Sequence, residues 1–121
     1  MGNTTEGKTV LITGAGKIDG QGAALARVMS EQGARVFVSD MIDDERRETA
    51  LSLGNAVQYV HLDVTSEKNW LDVISTIQQK QGRIDALVNN AGTRSGTGIL
   101  DTDVAEFRRV IEINQIGVFW V

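Results

Sequence analysis

An open α/β fold, with four parallel strands in the order 3-2-1-4, is what this sequence predicts. Three observations predict it. Four short, β-branched, apolar runs recur at Thr9–Thr13, Arg35–Asp40, Val57–Asp63 and Ile84–Asn90. Helical patterns lie between them, and the connections are short, which joins parallel strands through right-handed crossovers. The first, second and fourth runs are nearly continuously apolar, as strands buried on both faces are, and this makes Thr9–Thr13 central.

The elements follow in order. After the first strand, Leu25, Val28 and Met29 form an i, i+3, i+4 face, with Gly33 placed to end that helix. The segment Asp43–Leu53 is charged with a thin apolar stripe, and Gly54 follows it. Its run Asp43–Glu48 reads as a solvated helix face, and Asp43 and Asp44 are placed to cap it. The third strand carries His61, beside Tyr59, as a structural or surface residue. Trp70, Val73, Ile74 and Ile77 give an i, i+3, i+4, i+7 stripe, opened by Ser66 as N-cap and closed by Gly82.

A final helix begins near Thr102. Phe107, Val110, Ile111, Asn114, Gly117, Val118 and Val121 share one stripe, so Asn114 is the polar member of an inward face and needs a partner there. Ile113, Ile116 and Trp120 form a second stripe, and the last turn, Ile116–Val121, is apolar all round. A helix apolar on every side expects burial on every side. With no capping segment after Val121, it reads as a helix cut mid-course.

Composition narrows the classes. Among 121 residues there is no cysteine, which excludes a disulfide scaffold, a thiol nucleophile and a thiolate metal site. One histidine, His61, makes no imidazole metal centre. The net charge of −4 points to neither nucleic acid nor an anionic membrane. No apolar run approaches a membrane span, and Met1–Lys8 is too polar for a secretory leader, so a soluble, cytoplasmic protein is expected.

Between the first strand and the first helix lies Thr13-Gly14-Ala15-Gly16-Lys17-Ile18-Asp19-Gly20-Gln21-Gly22. In a doubly wound sheet this is where a dinucleotide binds, with its pyrophosphate against the helix N-terminus. Asp40 closes the second strand, where a carboxylate accepts both ribose hydroxyls of adenosine and repels a 2′-phosphate. The expectation is NAD over NADP, although Lys17 in the loop favours a phosphate.

Together, Thr13–Gly22, Asp40, Asp63-Val64, Asn89-Asn90-Ala91-Gly92 and Asn114 resemble the N-terminal half of a short-chain dehydrogenase/reductase. The resemblance covers nearly the whole chain, and Asn-Asn-Ala-Gly is its most specific element. It implies a Rossmann-type sheet ending inside the helix after the fourth strand, with residues 1–121 as a dinucleotide-binding domain that stops before the catalytic half. By the same resemblance Gly14, Gly20 and Gly22 are the cofactor glycines and Asp40 the ribose ligand. Asp63 and Val64 would meet the adenine ring, and Asn90, Ala91 and Gly92 would line the cofactor. Asn89 would tie neighbouring strands together, and Asn114 would hold a water in the proton relay.

Two departures stand out. The family pattern is Thr-Gly-x3-Gly-x-Gly, whereas this chain reads Thr-Gly-x5-Gly-x-Gly. The two-residue excess resembles a divergent enoyl-reductase branch that Asn-Asn-Ala-Gly does not fit, and Asp19 puts a negative charge near a pyrophosphate. The family's serine and Tyr-x3-Lys lie beyond the matching segment; the only tyrosine, Tyr59, has Asp63 four residues on. The resemblance implies an oxidoreductase passing hydride between nicotinamide and an alcohol/carbonyl pair, and a homo-oligomer through the last helix. A non-catalytic module that binds a nucleotide or a partner chain is the alternative.

Overall fold

Residues 4–120 are described by a computed structural model. Met1–Asn3 of the polar N-terminal stretch and Val121 of the predicted inward stripe lie outside them. The elements alternate as expected: β1 (Thr9–Ile12), α1 (Gln21–Glu31), β2 (Arg35–Asp40), α2 (Asp43–Ser52), β3 (Val57–His61), α3 (Glu67–Gln81), β4 (Ala86–Val88) and α4 (Val104–Ile111). A π-helical turn, Glu112–Ile116, then leads into the short α5 (Gly117–Phe119). All strands are parallel in the order β3-β2-β1-β4, so the predicted topology holds and β1 is internal.

Alternation along the strands builds two cores. Val10, Ile12, Val36 and Val38 face one way and pack with Ala26 of α1 and Ala50 of α2. Leu11 and Phe37, paired across the sheet, face the other way onto Trp70, Val73 and Ile77 of α3. Successive side chains of a strand point to opposite faces, so two apolar layers need a strand apolar at every position.

Local chemistry sets the ends. Ser66 accepts from the Asn69 backbone N–H at 3.2 Å, and Gly82 closes α3 at φ +76, where a Cβ is disfavoured. The α2 N-cap is Ile42, without a side-chain cap. Asp43 and Asp44 therefore do not cap it; they stand in its first turn, where the helix dipole favours acids. Asp85 accepts the Thr9 backbone N–H at 2.8 Å and pairs with Arg83. These contacts hold its carboxyl below the ordinary range, the Thr9 bond contributing most.

Two helical faces differ from expectation. On α1 the buried residues are Gly22, Ala23 and Ala26, while Val28 is exposed and Leu25 and Met29 flank the core. Small residues let that helix approach the strands closely, and the larger side chains border the contact. On the last helix Phe107 and Val118 are exposed, and the residues turned inward are Ile113 and Gly117. Trp120 continues that line by sharing a cleft with Trp70, Leu71 and Ile74 of α3. The π turn is the cause beyond Glu112: its i→i+5 bonding breaks a 3.6-residue count carried through it.

Candidate functional site

The chain leaves β1 at Thr13, whose N–H donates to Val88 O at 3.0 Å and whose hydroxyl accepts from the N–H groups of Asn90 (3.1 Å) and Ala91 (3.0 Å). The glycine loop and the turn after β4 are thereby locked together. Gly14 has φ +61, and a Cβ there would lie 2.5 Å from Ala91 Cα, so only glycine fits this crossing. The Asn90 side-chain amide donates to the carbonyls of Thr13 and Gly14, both at 3.1 Å. The tie between neighbouring segments therefore runs through Asn90 rather than Asn89, which lines a cleft with Asn114.

Further along the loop, the Gly20 N–H donates to Lys17 O at 2.9 Å, closing a turn over Ile18 and Asp19. Both central residues keep negative φ, so the turn requires no glycine inside it. Gly20 is the α1 N-cap and offers no side chain, and the first turn holds no acid. Gly22 is already inside the helix, where a Cβ would lie 2.6 Å from Ala15 Cβ and 2.8 Å from Asn90 Nδ2. Packing accounts for Gly22. The expected excess in loop length then vanishes: Gly14 and Gly20 are spaced like the first and last glycines of Thr-Gly-x3-Gly-x-Gly, with Ile18 at the middle position. Asp19 stands 3.7 Å from Lys17 Nζ, in an exposed pair that sets a positive charge beside the negative one.

Asp40 ends β2 with its carboxylate facing the loop. It accepts from Met41 N–H at 2.7 Å and Gly16 N–H at 3.3 Å. Arg46 reaches back from α2, Nε 3.7 Å from Asp40 Oδ2 and Nη1 donating to Gly16 O at 3.3 Å. Arg46 thus leaves the solvated face that the charge run predicts, whereas Asp43 stays partly exposed on it. The Tyr59 hydroxyl lies 2.8 Å from Asp40 O and 2.9 Å from Asp43 Oδ1, donating to one at a time, and His61 Nδ1 is 2.8 Å from Asp43 Oδ1. Bonds from His61 and then Tyr59 hold the Asp43 carboxyl below its ordinary value. Burial, and then the Asp43 bond, push the Tyr59 phenol above its own.

At the end of β3, Asp63 Oδ1 accepts from the Thr65 N–H (2.9 Å) and hydroxyl (2.7 Å), fixing the turn into α3. Val64 is buried against Gly117, where a Cβ would lie 2.8 Å from Val64 Cγ2, and its carbonyl accepts from Trp70 Nε1 at 3.0 Å. Asn114, in the π turn, clamps Thr93 at two points: its Oδ1 accepts Thr93 N–H and its Nδ2 donates to Thr93 O, each at 2.8 Å. The partner expected for Asn114 is backbone, met at the surface rather than inside.

Gly14, Asp40, Val64, Asn90, Ala91 and Gly92 converge on one cleft of about 200 Å³, joined by Met41 and Thr93. A second cleft, about 460 Å³, shares Ala91, Gly92 and Thr93 with it and extends to Asn114. Gly20 and Gly22 line neither, and Asp63 borders a separate depression beside Met41 and Arg109. The Thr13 hydroxyl, Thr93 and Arg46 are the contributors that spacing alone does not reveal. Among the described residues no cluster of His, Asp and Glu suits a metal.

Known proteins match this frame. The sequence profile described as short chain dehydrogenase matches residues 8–121. A 3-alpha-(or 20-beta)-hydroxysteroid dehydrogenase of Mycobacterium tuberculosis (strain ATCC 25618 / H37Rv) is 37% identical over 113 residues, 93% of this chain and 43% of the relative. A cyclopentanol dehydrogenase of Comamonas testosteroni is 35% identical over 122 residues, 98% of this chain and 48% of the relative. A trans-4-hydroxycyclohexanecarboxylate dehydrogenase of Sinomonas cyclohexanicum is 36% identical, covering 93% of this chain and 46% of the relative. The chain spans less than half the length of these relatives.

Proposed function

The chain belongs to the short-chain dehydrogenase family, and from that premise we propose that residues 1–121 are the cofactor-binding domain of an oxidoreductase acting on an alcohol/carbonyl pair. NAD is the preferred cofactor. The observation that carries this reading is the convergence of Gly14, Asp40, Val64, Asn90, Ala91 and Gly92 on one cleft at the carboxyl ends of parallel strands. That is where open α/β sheets take their ligands.

The residues fit a dinucleotide. At the Gly14–Ala91 crossing there is no room for a side chain, so backbone lines the cleft there. The α1 N-terminus has neither cap side chain nor acid, leaving its N–H groups for a phosphate. Asp40 would accept the ribose hydroxyls and meet a 2′-phosphate with like charge, and Val64 would border the adenine. When bound, the nicotinamide would supply or accept the hydride; Asn114, clamped to the Thr93 backbone, would help shape the cleft that holds it. Calorimetric titration with NADH and NADPH tests the reading. NADH binding tighter than NADPH is expected, and no binding of either overturns it.

Turnover by these residues alone is not expected. A positioned acid contributes roughly 10²–10⁴-fold to such chemistry. Tyr59 is held by Asp40 and Asp43 with its phenol pushed above its ordinary value, the wrong direction for donating a proton. NADH oxidation with a panel of ketones should stay at background, with Asp40→Ala as the control for contaminating enzymes. Turnover abolished by that substitution contradicts the expectation.

The substrate would be an alcohol, as in the relatives' names, or the matching carbonyl compound, and the setting cytoplasmic; no helix among the described residues is long and apolar enough to cross a membrane. The last helix would pair with a second copy through exposed Ile116, Val118 and Phe119. Sedimentation showing only monomer at high micromolar concentration would remove that pairing.

A further inference from the structure

The cleft that extends to Asn114, about 460 Å³, carries a single charge. Its lining is otherwise neutral, from the amides of Asn89 and Asn114 to the apolar Val118. Arg94 lines it too, and among the described residues its guanidinium meets neither a carboxylate nor any hydrogen-bond acceptor. Arg109 stands nearby but is already committed: its Nε and Nη2 donate to Glu106 at 2.8 and 2.9 Å. The backbone around Arg94 is held by three side chains. Arg109 donates to Arg94 O at 3.3 Å and to the Thr93 hydroxyl at 3.2 Å. Asn114 holds Thr93 at both its N–H and its carbonyl, and Glu106 accepts from the Gly96 N–H. An exposed arginine without an acid is thus mounted on a fixed segment of the cleft wall.

We propose that this cleft takes an anionic substrate, a hydroxy acid or its keto acid, and that Arg94 selects it by pairing with the carboxylate. The inference rests on the dinucleotide reading above, which sets the alcohol/carbonyl pair beside the cofactor; the two clefts share Ala91, Gly92 and Thr93. A guanidinium presents paired N–H donors in the plane that the two oxygens of a carboxylate occupy. One cation balances one negative charge, which favours a carboxylate over a phosphate dianion in a lining with no second base. Because the backbone at Thr93–Gly96 is held before a ligand arrives, less freedom is lost on pairing. A neutral ketone of the same size gains none of this and leaves the arginine to water.

Solution NMR on the whole chain, saturated with NADH, tests this. The probes are 4-oxopentanoate and 4-oxocyclohexanecarboxylate, each set against its methyl ester, which keeps the ketone and removes the charge. The acids should move the Arg94 Nε–H resonance and bind about tenfold tighter than the esters, the scale of a hydrogen bond to a charged group. Arg94→Met and Arg94→Gln should each bring acid and ester to equal affinity while leaving NADH binding unchanged; Arg94 is exposed, so neither change disturbs the fold. Equal affinity of acid and ester in the wild type, or no binding of the acids to a chain that does bind NADH, overturns the proposal. So does a preference for acids that survives both substitutions, which assigns the carboxylate to another cation. Weaker NADH binding by the variants assigns Arg94 to the cofactor's phosphates and overturns it as well. If NADH itself does not bind, the dinucleotide reading falls and takes the proposal with it.

Discussion

The helix α3 and the last helix, α4 through α5, invite the same reading from sequence and turn out differently. Both carry long apolar stripes and both are opened by a side-chain cap, Ser66 for α3 and Asp103 for α4. On α3 the stripe lands as spaced: Trp70, Val73 and Ile77 are buried and Ile74 packs beside them. On the last helix no large apolar residue is fully buried, and Gly117 alone is. Two physical differences account for this. A π turn interrupts the 3.6-residue period within the second helix, which lies on Val64 just beyond β3, the flank of α3 and the Thr93 backbone after β4 rather than across a sheet face. Periodicity reports which residues share a face; it reports burial only where the helix stays regular and something covers that face.

The contrast can be broken most forcefully at its aromatic residues. Trp70 is 3% exposed and Phe119 is 78% exposed. Trp70→Ala should cost about 3–5 kcal/mol and Phe119→Ala no more than about 0.5 kcal/mol, both read from urea unfolding. Equal costs would mean that the last helix is buried after all. Next in size is Gly117→Val, which forces a side chain into the contact with Val64 and should cost about 1–3 kcal/mol. A neutral result would show that the helix does not rest on β3. The caps should not discriminate: Ser66→Ala and Asp103→Ala each lose a bond to an N3 amide and should each cost about 1 kcal/mol. A much smaller loss at Asp103 would mark α4 as frayed.

The smallest effect concerns pH. The bond from Arg109 holds the Glu106 carboxyl of α4 below its ordinary value. A carboxyl depressed in the folded state stabilises above its unfolded pKa of about 4.3, and that contribution is lost as pH falls through the lower folded value. Acid unfolding of Glu106→Gln should therefore show a shallower stability loss below about pH 4.3 than the wild type. Identical acid limbs would show that the Glu106–Arg109 pair carries nothing.

Much of the site was legible because its residues act through backbone geometry at strand ends, which local sequence encodes. Gly14, Asp40, Val64, Asn90, Ala91 and Gly92 reach a common cleft. The contributors that local sequence does not encode act across long sequence intervals. Arg46 returns over Gly16 from the far side of β2, and the Thr13 hydroxyl meets Asn90 and Ala91 across the sheet. The resemblance makes Gly22 a cofactor glycine, whereas Ala15 and Asn90 leave no room for a side chain there, inside the helix. No periodicity carries such pairings, since they depend on which loop lies over which.

The bare N-terminus of α1 has a consequence in time as well as in space. Every amide of this protein exchanges its hydrogen with water at a rate set by how often its bond opens. At Gln21, Gly22 and Ala23 the helix provides no preceding carbonyl, and Gly20 contributes no side chain. These three hydrogens should be among the quickest to exchange, ahead of those in the capped first turn of α3. An anion settling there would slow them first, so a deuterium clock started at α1 would register a ligand's arrival before any reaction could be observed.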